Sequence, residues 1–182
     1  MRLALTAPFL LLALPACKSA LADVEAWGAD SVKHNDKYTE IRFEHGQEAY
    51  DMQASGGGLR LSISRIRNDY DKRKVVVTFE LRNNFDQEVR FDLSDVRLSY
   101  SGEEYAAKSA DLFRMDPHPN VLPKSMKKGA WAFELGTEAA SGEYDVHILG
   151  LQLFTAGSAT PVGQDFVFKV KVPGKRGPMI AR

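Results

Sequence analysis

The feature that most constrains the fold is an alternation of apolar and polar residues with a period of two, which recurs from Leu59 to Val172. It begins with Leu59, Leu61 and Ile63, and a polar residue follows each of them. A period of two turns one side of an extended chain to a core and the other side to water, whereas a surface helix repeats about every 3.6 residues. The pattern therefore predicts β-strands.

The same alternation returns along the rest of this region. The further segments span residues 75–81, 89–93, 96–100, 131–135, 144–153 and 166–172. Turn-forming residues separate them, and a connection over 107–128 contains three prolines. Seven to nine short strands of this kind predict an all-β, immunoglobulin-like antiparallel β-sandwich over residues 59–172. We expect Trp131 to fill the core with a partner for its ring nitrogen, and a bulge at Gly150 where the phase shifts.

The N-terminus has the layout of an export signal. Arg2 precedes a leucine-rich segment that carries no charge from Leu3 to Ala16. This segment is too short to span a bilayer comfortably. Two cleavage interpretations remain open. Ala20-Leu21-Ala22 predicts a signal peptide of residues 1–22.

The alternative is a lipoprotein signal of residues 1–16. Leu14-Pro15-Ala16-Cys17 resembles a bacterial lipobox, although Pro15 stands where a small or hydroxyl-bearing residue is usual. The resemblance implies that Cys17 becomes the lipid-bearing N-terminus. Cys17 is the one cysteine of the chain, so an intramolecular disulfide and a cysteine-based zinc site are both excluded.

The two flanks of the predicted sandwich are more polar. We interpret residues 23–58 as a polar spacer with one edge strand near Thr39–Phe43, ended by three glycines at 56–58. We expect the tail, residues 173–182, to be loose. The whole chain has 24 basic and 24 acidic residues, so it lacks the basic field that nucleic-acid binding normally needs.

Several short motifs resemble the telokin-like, immunoglobulin-like domains of bacterial exported proteins and lipoproteins. They are the strand Val75–Asn83, the segment Phe91–Leu98, Gly102-x-x-Tyr105, Leu122-Pro123, and Lys128-Gly129 leading into Phe133-Glu134-Leu135. The resemblance covers residues 59–172 and implies the fold and an exported setting. It implies no catalytic residue, because that family is largely uncharacterised.

Motifs for catalysis and cofactor binding are not apparent in the sequence. The chain has no G-x-S-x-G nucleophile motif and no P-loop, and its four histidines do not fall in metal-ligand spacings. We therefore predict a protein that is not an enzyme and holds no cofactor. The best candidates for binding are Phe113, Met115 and His118 in the long connection, since function often lies on long loops of rigid scaffolds.

Two other sets of residues allow narrower hypotheses. Met115, Asp116 and His118 combine a thioether, a carboxylate and an imidazole, which together would suit copper. Arginines on the predicted strands form either a mixed-charge wet face or a polar interaction surface. Among them are Arg82, Arg90 and Arg97, with Glu80, Asp92 and Asp95 interspersed.

These observations predict a binding or accessory module of the bacterial cell envelope, anchored by lipid on Cys17, whose partner is another envelope protein. The alternative is a periplasmic carrier of a small ligand or metal that uses residues 113–126.

Overall fold

A computed structural model describes residues 24–25, 27–110, 115–118 and 120–175. Strands make up most of the described chain. The strands are β1 (Ser31–His34), β2 (Tyr38–Ala54), β3 (Gly57–Asp69), β4 (Lys74–Asn83), β5 (Glu88–Arg90), β6 (Val96–Tyr100), β7 (Glu103–Ala106), β8 (Lys108–Ser109), β9 (Met126–Glu134), β10 (Gly142–Ile148), β11 (Gln152–Thr155), β12 (Ser158–Pro161) and β13 (Phe166–Val172). A single 3₁₀ turn, Leu93–Asp95, precedes β6.

The strands form three antiparallel sheets. The six-stranded sheet has the order β1-β2-β3-β4-β9-β8, the four-stranded sheet β13-β10-β6-β7, and the three-stranded sheet β12-β11-β5. One apolar cluster draws buried side chains from all three. Ring stacking joins the two larger sheets, because the ring centroids of Tyr50 on β2 and Phe166 on β13 are 4.1 Å apart. The prediction of an all-β antiparallel β-sandwich is confirmed.

Trp131 occupies the centre of this core, as its sequence context predicts. It is fully buried and stacks on Phe79 with ring centroids 3.9 Å apart. Phe168 of the opposite sheet lies 6.3 Å away. The indole Nε1–H donates to the backbone carbonyl of Pro117 at 3.3 Å, so the ring nitrogen has the partner that burial requires.

The prediction of a polar spacer over residues 23–58 is wrong. Residues 31–34 and 38–54 form β1 and β2, and β2 pairs with β1 on one side and β3 on the other. The segment Thr39–Phe43 is therefore in an interior strand. The pattern is hidden because register shifts interrupt β2 between Arg42 and Gln47 and again between Glu48 and Tyr50. Each bulge resets which residues face the core.

Of the three glycines at 56–58, Gly57 and Gly58 are required for close packing, whereas Gly56 has open space around it and a φ of +84°. A Cβ on Gly57 would lie 2.5 Å from the carbonyl oxygen of Asn84, and one on Gly58 would collide with the carbonyl of Met52. Asn84 N–H also donates to the Gly58 carbonyl at 2.8 Å. The β2–β3 hairpin can therefore meet the turn after β4 only if residue 57 lacks a side chain, and its own two strands can pair this closely only if residue 58 lacks one.

Two smaller expectations also differ from the structure. Gly150 does not form a bulge within a strand, since β10 ends at Ile148 and β11 begins at Gln152 in another sheet. The start of the tail is held in place, because Asn68 Nδ2 donates to the carbonyl of Pro173 at 3.0 Å. Tyr70 Oη donates to the carbonyl of Gly174 at 2.8 Å. Residues 176–182 lie outside the described chain.

Candidate functional site: the long loop

The long loop, residues 110–125, joins β8 to β9 and contains all three predicted binding residues. Of these, Phe113 lies outside the described residues, as does the predicted lipid acceptor Cys17. Met115 is half-buried and packs on small side chains of the six-stranded sheet. Those side chains are Val76, Ala110, Ala130 and Ala132. His118 is exposed.

The loop crosses the edge of β9 from one face of the sheet to the other. Met115 contacts the outer face, whereas the carbonyl of Pro117 accepts from Trp131 on the inner face. Between them, the carbonyl of Asp116 occupies the space that a Cβ on Gly129 would need. Since β8 pairs only with residues 131 and 132 of β9, the loop covers the adjoining part of that strand edge at Gly129.

An ion pair between Lys127 of β9 and Asp116 holds the same segment of the loop. Lys127 Nζ lies 2.8 Å from Asp116 Oδ2 and donates to the carbonyl of Asn120 at 3.2 Å. The hydrogen bond from Lys127 holds the pKa of Asp116 below its usual value, and the backbone N–H of His118, 2.8 Å from Oδ1, acts in the same direction. Partial burial opposes both. Both carboxylate oxygens of Asp116 are therefore used in contacts that hold the loop.

The structure does not bring the copper-type set together. Met115 faces the alanine-rich patch, Asp116 is paired with Lys127, and His118 points into solvent. Within the described ranges, no three His, Cys, Asp or Glu side chains converge on a point where a metal ion would sit.

The second half of the loop is organised by Asn83, the last residue of β4. Asn83 is fully buried, and its Nδ2 donates to the carbonyls of Gln87, Val121 and Leu122 at 2.7–3.1 Å. Its Oδ1 accepts from Phe85 N–H at 2.9 Å. One side chain therefore joins two connections that are far apart in sequence.

Held in this way, the loop exposes apolar side chains at one end of the sandwich. Leu122 is 63% exposed and Met126, at the start of β9, is 45% exposed. Sequence reasoning did not single them out for binding. No local signal marks them, because Leu122 faces outward as a result of the bridge that buries its neighbour Val121 against Val89.

The arginines Arg82, Arg90 and Arg97 do not form one surface. They lie on β4, β5 and β6, which belong to three different sheets. Arg90 pairs with Glu88 at 2.7 Å and Arg97 with Glu104 at 3.1 Å. The outer face of the six-stranded sheet is a mixed-charge surface, on which Glu40 is buried between Arg42 at 2.7 Å and Arg65 at 3.9 Å.

A serine–histidine contact lies on the outer face of the four-stranded sheet. Ser99 Oγ and His147 Nε2 are 3.0 Å apart on paired strands, and His147 is half-buried. Nucleophilic catalysis also needs a group that orients the histidine and donors for an oxyanion. Among the described residues, no side chain bonds the second ring nitrogen of His147.

Comparisons with known proteins do not identify a family or a function for the chain. No family model and no curated protein matches the chain. Among solved structures, the chain is similar to a predicted lipoprotein (ycdA) of Bacillus subtilis subsp. subtilis str. 168, with 9% identity and a TM-score of 0.38. The match covers 79% of this chain and only 39% of that protein, and a likeness this distant supports no argument about function. In the part of the chain described here, no helix has the length and apolar character to cross a bilayer.

Proposed function

We propose that the protein is an exported, non-enzymatic binding or accessory module of the bacterial cell envelope, anchored through lipid on Cys17. Its partner is another envelope protein, which contacts the end of the sandwich formed by the long loop. The observation that carries the proposal is the placement of Leu122 and Met126. They are two of the three large apolar side chains that are exposed in the described residues, and both belong to this loop and its junction with β9.

The described part of the loop, residues 115–118 and 120–125, is suited to binding because side chains of the sandwich already hold its backbone. Asn83, Lys127 and Trp131 each bond a loop carbonyl, and Lys124 Nζ reaches both the carbonyl of Asn84 at 2.7 Å and Asp86 at 3.0 Å. A partner that contacts Leu122 therefore does not have to order the loop, which is a main cost of association. Exposed apolar groups within a charged rim are typical of protein contact sites.

The proposed anchor is supported by the sequence before the described chain. An uncharged, leucine-rich segment ends at Leu14-Pro15-Ala16-Cys17, and the sandwich begins within a few residues of Val24. A cysteine carrying a diacylglycerol and an N-acyl chain would provide the two or more chains that stable attachment needs. Because the first strand starts at Ser31, the tether between lipid and domain is short.

Intact mass of the protein from its native host tests the anchor, with Cys17→Ala as the control. The expected mass is that of a chain beginning at Cys17 with three acyl groups, and the variant should leave the membrane fraction. An unmodified chain beginning at Asp23 would refute the anchor and leave a soluble exported protein.

Site-specific photo-crosslinking in living cells tests the contact surface. A photoreactive residue at Met126 should crosslink to an envelope protein, and Leu122→Asp should abolish that crosslink. The matched control position is Val167, which is 48% exposed on β13 of the four-stranded sheet. Equal crosslinking to the same protein from positions 126 and 167, or no effect of Leu122→Asp, would contradict the assignment of this surface.

A further inference from the structure

A cleft of about 380 Å³ opens on the three-stranded sheet, on the side away from the core. Val89 of β5 and Leu153 of β11 point into the apolar core, so their alternating neighbours face the cleft. Its lining includes Arg90, Asp92, Asp95, Asn120, Gln152 and Phe154. The volume falls at the lower end of the range that small-molecule sites occupy, about 300–1,000 Å³.

One wall of the cleft is a rigid platform. Arg90 and Gln152 lie directly opposite each other in the β5–β11 ladder. The guanidinium of Arg90 makes two hydrogen bonds to Glu88, at 2.7 and 2.9 Å, and stacks 4.0 Å above the ring of Phe154. The positive charge of Arg90 is therefore already balanced, and its plane is fixed.

The other polar side chains at the cleft have no partner in the described residues. The side chains of Asp92, Asp95, Asn120 and Gln152 make no hydrogen bond and no ion pair within the described part of the chain. Gly150 brings one of them close, because its absent side chain leaves Asp95 Oδ2 only 3.1 Å from where a Cβ would stand. Two carboxylates and two carboxamides thus line one hollow without a partner in the described residues.

The chemistry of this lining selects among ligand classes. An anion is disfavoured, because Asp92 and Asp95 are uncompensated while Arg90 is held by Glu88. A zinc or copper ion is disfavoured, because no three His, Cys, Asp or Glu side chains come together at this cleft in the described residues. A neutral molecule with many hydroxyl groups fits, since hydroxyls donate to carboxylates in charge-assisted bonds and both donate to and accept from amides.

We propose that this cleft binds a neutral saccharide, with Asp95 and Gln152 as its principal hydrogen-bonding residues. The site goes beyond the proposed function, because it requires neither the lipid anchor nor the Leu122 surface. The methylenes of Arg90 and the edge of the Phe154 ring would cover the apolar face of a sugar ring, and the free acceptors would meet its hydroxyls.

The test is a titration of the ¹⁵N-labelled processed protein, followed by amide chemical shifts. The probes are four neutral disaccharides: maltose, cellobiose, lactose and N,N′-diacetylchitobiose. Glucose 6-phosphate and spermidine serve as anionic and cationic comparators. Each probe is added to about 10 mM, above the roughly 1 mM Kd expected of a weak site. At least one disaccharide should shift the amides of Gly150 and Gln152 in a saturable way.

Two substitutions locate the binding. Gln152→Ala and Asp95→Asn should each weaken the responding disaccharide by about tenfold, the effect of losing one hydrogen bond to a charged or well-placed group. The matched controls are Gln53→Ala and Asp71→Asn, which change exposed residues of the same types elsewhere and should leave affinity unchanged. The proposal is overturned if no disaccharide shifts the cleft amides, if only spermidine or glucose 6-phosphate does, or if the controls weaken binding as much.

Discussion

The carbonyl oxygen of Asp116 lies in the space that a Cβ on Gly129 would occupy, so the long loop and β9 can be this close only because residue 129 is glycine. Phe79 crowds the same point, with a ring carbon 2.5 Å from the ideal Cβ position. The Lys128-Gly129 pair, which reads in the sequence as a plain strand entry, is thus the point at which the loop docks.

Gly129→Ala should therefore displace the loop and lower the free energy of unfolding by about 1–3 kcal/mol, the usual effect of overpacking. Denaturant unfolding measures the loss, and the indole N–H resonance of Trp131 should shift because its acceptor, the carbonyl of Pro117, moves with the loop. Gly136→Ala is the control, since Gly136 has open space around it and only its φ of +71° is unfavourable. If Gly129→Ala costs no more than Gly136→Ala and leaves the indole resonance in place, the docking argument fails.

Asn83 offers a second prediction, because it satisfies three backbone carbonyls and one N–H from a fully buried position. Asn83→Ala should cost about 2–3 kcal/mol, since the carbonyl of Gln87 and the N–H of Phe85 lose their partner. The carbonyls of Val121 and Leu122 keep the Val89 N–H and the Ser125 hydroxyl as donors. The exposed neighbour gives the matched control, and Asn84→Ala should change stability by less than about 0.5 kcal/mol. Thermal or denaturant unfolding of the two variants makes the comparison, and similar values for both would contradict the role given to Asn83.

The strand pattern could be predicted from the sequence wherever one strand keeps a constant phase. Val75, Val77, Phe79 and Leu81 alternate without interruption, and all are buried in β4. The prediction failed at β2 because the shifts after Arg42 and Glu48 change the phase twice. A propensity for strand is a property of short segments, but a bulge is set by what the neighbouring strand requires.

The candidate site was predictable only in its location. A long loop rich in proline drew attention to residues 113–126, but which of its side chains face outward depends on contacts made across the fold. Met115 packs on the alanine-rich patch of the outer sheet face, and Asp116 forms an ion pair with Lys127. The cleft at Gln152 depends on the pairing of β5 with β11, strands that are some sixty residues apart. No local pattern encodes such a pairing.

The Asp116–Lys127 pair predicts how stability depends on pH. The pKa of Asp116 is lowered in the folded protein, chiefly by the hydrogen bond from Lys127, so this contribution is fully present above the ordinary value of 3.8 and is lost as the pH falls through the lower folded value. Lys127→Met should therefore reduce the loss of stability below about pH 4. Unfolding curves across the acid range compare it with the wild type. A variant with an unchanged acid slope would show that the pair does not contribute to folding.

Glu134 provides the reference for that experiment. Its pKa is also lowered, mainly by the hydrogen bond from Lys108, but the pair is exposed on the sheet surface. Lys108→Met should therefore alter the acid slope less than Lys127→Met, because exposed pairs are well screened. It should leave the Trp131 indole resonance unchanged, whereas Lys127→Met should shift it.

The last prediction concerns the C-terminal segment, which the sequence suggested is loose and which the structure shows to be held from residue 173 to residue 175. Asn68 and Tyr70 donate to the carbonyls of Pro173 and Gly174, and both side chains are buried. Truncation after Val172 removes those acceptors and uncovers the Tyr70 hydroxyl, so it should cost about 2–4 kcal/mol more than truncation after Lys175. Denaturant unfolding of the two truncated proteins gives the difference directly, and fluorescence of the tyrosines would follow the exposure of Tyr70. Equal stability of the two would mean that the bonds from Asn68 and Tyr70 are replaced by water without cost, and that residues 173–175 do not belong to the folded domain.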